Sequence, residues 1–191
     1  GGLPAYTAYP GGSPYNVAMA AALQGVATAY LTPISTDSLG DLLAGRLEEC
    51  GVHLTGGRSD KPTSLAVVSL QDGMPSYGFY RNDTAERQVT IRFLDAVMPK
   101  DVILFHVGSL GLIEGEDATA WEDKFVDWHR SGRLTSLDPN VRPSLISDAD
   151  GYRRRICSMM GSTDILKLSD EDLLWLYPGH DFEAACLACF A

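Results

Sequence analysis

The sequence predicts an α/β fold: a mainly parallel sheet flanked by helices, with one small β-hairpin inserted. Three observations predict it. Short β-prone runs alternate with segments of helical periodicity along most of the chain, the signature of strand–helix–strand units. Val102 to Val107 is apolar on consecutive positions, as in a parallel strand covered on both faces. Residues 63–80 instead form two β-prone runs around the turn Gln71-Asp72-Gly73, which predicts the hairpin.

Taken in order, Val17, Ala18, Ala21, Ala22 and Leu23 stand at helical spacing after Gly11-Gly12-Ser13-Pro14, so a helix runs over 14–25 and stops at Gly25. Val26 to Pro33 predicts a strand, and Ser38 to Cys50 a helix with Leu39, Leu42, Leu43 and Leu47 on one side, closed by Gly51. After the hairpin, strand 102–107 ends at Gly108-Ser109. A helix over 116–130 follows, with Trp121, Phe125 and Trp128 on one face as packing residues. Strand 134–137, the loop Asp138-Pro139-Asn140, a helix over 148–160, strand 165–168 and a helix from Ser169 complete the pattern, and Phe190-Ala191 stand amid a helix.

With 191 residues and 45% hydrophobic content, the chain can bury a sizeable core, as one domain with at most a small appendage. No apolar run approaches the roughly 18–20 residues of a membrane span, and Gly1-Gly2-Leu3-Pro4 lacks the regions of a secretion signal. A cytoplasmic protein without membrane partners is expected. Cys50, Cys157, Cys186 and Cys189 have no paired CxxC spacing and read as reduced, mostly buried thiols rather than a disulfide framework or a zinc site. A net charge of −10 disfavours nucleic acid as a partner. The basic run Arg153-Arg154-Arg155 reads as the solvated face of a helix, although an anionic small substrate stays open. His53, His106, His129 and His180 are scattered without catalytic spacing, and His106 reads as a satisfied core histidine.

In open parallel sheets ligands bind beyond the carboxyl ends of the strands. Three polar segments follow strands here: Gly108-Ser109, Asp138-Pro139-Asn140-Val141-Arg142-Pro143 and Lys167 to Asp172. Residues 11–18 (GGSPYNVA), 23–26 (LQGV) and 35–40 (STDSLG) resemble the amino-terminal signature of ribokinase-type (PfkB) carbohydrate kinases. Residues 79–85 (FYRNDTA), 138–143 (DPNVRP) and 167–172 (KLSDED) resemble the fructokinase-like branch, and the matches run in order over about residues 8–176.

The resemblance implies a ribokinase-like fold and transfer of the γ-phosphoryl group of ATP, with Mg2+, to a hydroxyl of fructose or a related ketose. A sugar-acid kinase acting on 2-keto-3-deoxygluconate and a non-catalytic sugar-binding module stay as alternatives. It implies that residues 1–191 are a partial sugar-kinase domain with lid elements around 1–12 and 58–85. Gly11, Gly12 and Asn16 would hold the sugar; read without the family they are a turn and a helix start. Phe79 and Arg81 would cover the sugar, or else be lid packing and an exposed cation. Arg142 would stabilise the transferred phosphoryl charge, Asn140 and Lys167 would meet the nucleotide, and Asp138 and Asp172 would orient Mg2+ through water. Read locally, Asn140 or Asp148 caps the following helix and Ser169 with Asp172 forms a capping box. The family pattern Asn-x-x-Glu stands here as Ser169-x-x-Asp172.

The family's first strand and its Gly-Ala-Gly-Asp segment, which carries the aspartate base, are not among these residues, which implies a fragment that is inactive alone. The resemblance also implies a homodimer paired through the lid, and convergence of Asn16, Phe79 and Arg142 on one cleft.

Overall fold

The first helix begins where Gly12, at φ 134°, turns the backbone and Pro14 supplies a preset φ in the first turn. The computed structural model describes residues 5–71 and 74–190, giving the backbone alone for 69–71 and 74–77. Two compact units divide the chain, Gly1–Gln88 and Val89–Ala191. Among the described residues no helix is long and apolar enough to cross a membrane.

In the amino-terminal unit, residues 5–12 have no regular structure, and the rest of the expected 1–12 lid element lies outside the described residues. Helix α1 (Ser13–Leu23) ends at Gly25, whose φ of 82° suits only glycine readily. Helix α2 (Ser38–Glu49) starts at the cap Asp37 and ends at Gly51. Tyr15 and Ala18 of α1 pack with Ala44 and Leu47 of α2, Ile34 and Val52 to form this unit's core. The strand expected over Val26–Pro33 is shorter and later: strand β1 is Ile34–Ser35, paired in parallel with β2 (Arg58–Ser59). The apolar run is nonetheless extended, since Tyr30 N–H donates to the His53 carbonyl and Ile34 N–H to that of Gly57. Strands β3 (Leu65–Gln71) and β4 (Met74–Tyr80) form the antiparallel hairpin, with Leu65 opposite Tyr80 and Ala66 opposite Phe79. Of its expected turn, Asp72 and Gly73 lie outside the described residues.

The second unit opens with helix α3 (Ile91–Val97), which periodicity does not reveal at seven residues; Thr90 caps it by accepting the Phe93 N–H. Strands β5 (Leu104–Gly108), β6 (Leu134–Asp138) and β7 (Ile165–Leu166) make a parallel sheet in the order β5-β6-β7. Helix α4 (Gly115–Arg130) packs its aromatic stripe on one face of that sheet. Phe105 meets Trp121, Phe125 and Trp128 at centroid distances of 6.1, 6.2 and 5.9 Å. The other face corrects the expectation of a strand covered on both sides. Leu104, Leu134 and Ile165 share it and are exposed, as is Ile103 just before β5.

Helix α5 (Ala149–Met160) is capped by Asp148, not by Asn140. Helices α6 (Asp170–Leu176) and α7 (Phe182–Cys189) close the unit. Of the arginine run of α5 only Arg154 is a solvated residue. Arg153 stacks on Trp175 at 4.4 Å, and Arg155 binds Glu122 at 2.8 Å and the carbonyls of Leu112 and Ile113. Nor are the thiols buried: Cys157 is exposed, one position off the buried Tyr152–Ile156–Met159 stripe, and the other three are half-buried.

Candidate functional site

The carboxyl edge of the β5-β6-β7 sheet brings together five of the residues singled out from the sequence: Asp138, Asn140, Arg142, Lys167 and Asp172. Pairing sets their spacing, because Gly108 lies beside Asp138 in register and the Lys167 N–H donates to the Leu137 carbonyl at 3.0 Å. Gly108 is required by proximity: a Cβ there would lie 2.0 Å from the Asp138 carbonyl oxygen. Beyond it Ser109 (φ 58°) donates its N–H to Pro139 O at 3.1 Å, and Asn140 (φ 41°) turns the next loop. Left-handed backbone at two non-glycine residues on neighbouring strand ends is the kind of strain that clusters at functional loops.

The charges at this edge are specifically arranged. Asp138 is largely covered and lies 3.3 Å from the exposed Lys167 ammonium. Arg142 Nη1 donates to its own loop's carbonyls, Val141 O at 2.9 Å and Asn140 O at 3.2 Å, while the side chain stays exposed. Asp172 is buried at 5% exposure, with both carboxylate oxygens taken. Oδ1 accepts the Val141 N–H at 2.8 Å, and Oδ2 accepts the Ser169 N–H in a complete capping box. Asp172 therefore ties the Arg142 loop to α6. Beneath, the Tyr152 hydroxyl donates to Pro139 O at 3.4 Å, and burial pushes its pKa up. His106, on the open sheet face, is satisfied on one side only: Nδ1 sits 3.0 Å from Ser136 Oγ, Nε2 is buried without a partner among the described residues, and burial pushes its pKa down.

An anion fits this edge, since Lys167 and Arg142 are exposed cations on adjacent loops. A directly ligated Mg2+ fits less well. Asp138 is paired, Asp172 is committed to backbone, and no group of three or more His, Cys, Asp or Glu among the described residues is arranged to hold a metal.

The amino-terminal unit places the remaining candidates. Gly11 and Gly12 precede α1, and the Asn16 side chain is exposed without a partner among the described residues; its backbone N–H donates to Gly12 O at 2.8 Å. Phe79 is half-buried opposite Ala66. Arg81 lies just past the end of β4, so strand alternation with Phe79 no longer governs it, and it is not the exposed cation of the local reading. Its side chain is 10% exposed and Nε donates to Glu86 Oε1 at 3.0 Å. Glu86 escapes sequence reasoning; its only signal is an acid five residues on, across the Asn82-Asp83-Thr84 turn. Asp37 escapes it too. Its carboxylate accepts the N–H and Oγ1–H of Thr63 at 2.8 and 2.7 Å and the Gly40 N–H at 2.7 Å, anchoring the start of the hairpin strand to α2.

With this geometry in place, the family profile described as pfkB family carbohydrate kinase matches residues 3–189. The chain belongs to that family. Among its pfkB relatives, a fructokinase of Rhizobium leguminosarum bv. trifolii is 34% identical over 183 residues, covering 94% of this chain and 56% of the relative. A crystal structure of fructokinase with bound ATP from Xylella fastidiosa superposes with a TM-score of 0.83 at 30% identity, over 94% of this chain and 57% of that one. A putative ribokinase II from E. coli matches with a TM-score of 0.83 at 24% identity, over 95% and 59% of the two chains, which shows the ribokinase-like fold. This pfkB chain thus spans about half the length of the relatives it matches.

Proposed function

We propose that this chain is the sugar-binding and front part of an ATP-dependent kinase that phosphorylates a hydroxyl of fructose or a related ketose. The observation that carries the reading is the pair of exposed cations, Arg142 and Lys167, on adjacent strand-end loops of a pfkB fold whose relatives are fructokinases. The sugar's hydroxyl oxygen attacks the γ-phosphorus, the bond to the bridging oxygen breaks, and ADP leaves. Charge spreads over the transferred group's oxygens meanwhile, where a guanidinium stabilises it. Arg142 takes that role once it leaves its own carbonyls, and Lys167 and Asn140 meet the nucleotide. Mg2+, carried on the phosphates and reached by Asp138 through water, would neutralise charge there. Gly11, Gly12, Asn16, Phe79 and Arg81 are assigned to the sugar, with the hairpin as lid. The base that takes the hydroxyl proton is assigned outside these residues.

The test is a coupled ADP-release assay on the natural protein at its full length. Fructose turnover, with Arg142→Ala lowering kcat about 100-fold or more while the fructose KM moves little, is the expected result. Turnover of 2-keto-3-deoxygluconate without fructose would replace the substrate, and turnover of neither would refute the kinase reading. A homodimer through the hairpin belongs to the same proposal. Leu65, Val68 and Tyr80 are exposed on an element that is two-stranded among the described residues, and association would cover its edge. Sedimentation equilibrium at micromolar concentration should give a dimer; a monomer throughout would remove it.

A further inference from the structure

We infer that Glu86 is a specificity-determining residue that makes the sugar site accept a neutral polyol and refuse a sugar acid. This rests on the proposed sugar role of Arg81. A lone guanidinium beside a sugar would welcome a carboxylate, the acceptor that matches its planar fork. Here the guanidinium already has one. Arg81 Nε donates to Glu86 Oε1 at 3.0 Å, and the two side chains are 10% and 22% exposed, so the pair is little screened and its net charge is zero.

The pair is held from both sides. The Thr84 hydroxyl donates to Arg81 O at 3.0 Å, the Ala85 N–H donates to Pro62 O at 2.9 Å, and Thr84 and Ala85 are buried. Glu86 follows directly in the 3-10 turn Ala85–Arg87, so its position is fixed by backbone and not by the ion pair alone. The other arm of the fork is unmade: Arg81 Nη2 and Glu86 Oε2 are both buried without a hydrogen-bond partner among the described residues. A hydroxyl is the group that completes both, accepting from Nη2 and donating to Oε2. A carboxylate accepts only, and would bring a second negative charge to Oε2. Elsewhere among the described residues of this unit, Arg46 is matched by Glu49, Arg58 by Asp41 and Lys61 by Asp83.

The experiment compares Glu86→Gln with the natural full-length protein, measuring by calorimetry the dissociation constants of fructose and 2-keto-3-deoxygluconate. Glutamine keeps an acceptor for Arg81 and removes only the charge. The natural protein should bind fructose at least about tenfold more tightly than the sugar acid, and the variant should shrink that ratio by about tenfold, the size of one charge-assisted hydrogen bond. An unchanged ratio, or equal loss of both affinities, overturns the role of Glu86 while fructose turnover leaves the kinase reading standing. A variant that fails to fold leaves the natural ratio to decide, and a value near one overturns the inference. Binding of neither sugar by the natural protein removes the parent reading together with this one.

Discussion

The Asp37 carboxylate shows what one side chain does for this fold. Burial pushes its pKa up, but the hydrogen bonds from Thr63, Gly40 and Ser35 together outweigh that and hold it well below the usual carboxylate range. The folded pKa is thus depressed from 3.8, so the stabilisation is fully present above that value and is lost as pH falls through the folded pKa. An acid titration followed by circular dichroism should show Asp37→Asn less stable at neutral pH by about 1 kcal/mol, because asparagine still caps the helix but its NH2 cannot accept the Thr63 N–H that Oδ2 takes. Its stability should also fall less steeply below pH 4. A parallel acid limb would count against the assignment. Asp37 stood within a recognisable sequence segment, yet its partner Thr63 is 26 residues away, and no local pattern couples the two. Glu86 was hidden for the opposite reason. It is close in sequence to Arg81, but the turn between them follows no regular period that would place the two side chains together.

Elements long enough to show their period were legible. Helix α4 is the clearest case, because Trp121, Phe125 and Trp128 recur at i, i+4 and i+7 and all three are buried. Phe125 has no exposed surface and contacts Phe105 across the sheet face, so Phe125→Ala should lower stability by about 3–5 kcal/mol in urea unfolding. A loss under about 1 kcal/mol would mean that the α4 seam is not the core of its unit. Short elements were not legible. Seven residues of α3 show too few turns for a stripe, and β1 and β2 have two residues each, so their pairing is decided by neighbouring loops and not by propensity. The hairpin was legible because two β-prone runs, seven residues per strand in the structure, flank a turn signal.

For the molecule as a whole, the legible part of the candidate site was the part that topology dictates. Parallel strands in one sheet end on one edge, so naming the loops after β5, β6 and β7 was enough to gather Asp138, Asn140, Arg142, Lys167 and Asp172. Which of them carry free charge was not legible, since Asp138 and Asp172 are identical in type and differ only in what the fold gives them to bind. The open faces were equally invisible: α1 and α7 are apolar nearly all round, and each still exposes Leu23 or Leu187 in its unit. The bond from the Val141 N–H to Asp172 gives the loop that carries Arg142 an unusual mechanical property. The residue next to Arg142 is fastened to the first turn of α6, 31 positions away, by a carboxylate that also caps that helix. A displacement of the Arg142 loop is therefore passed to the start of α6, so the two cannot shift independently while that bond holds.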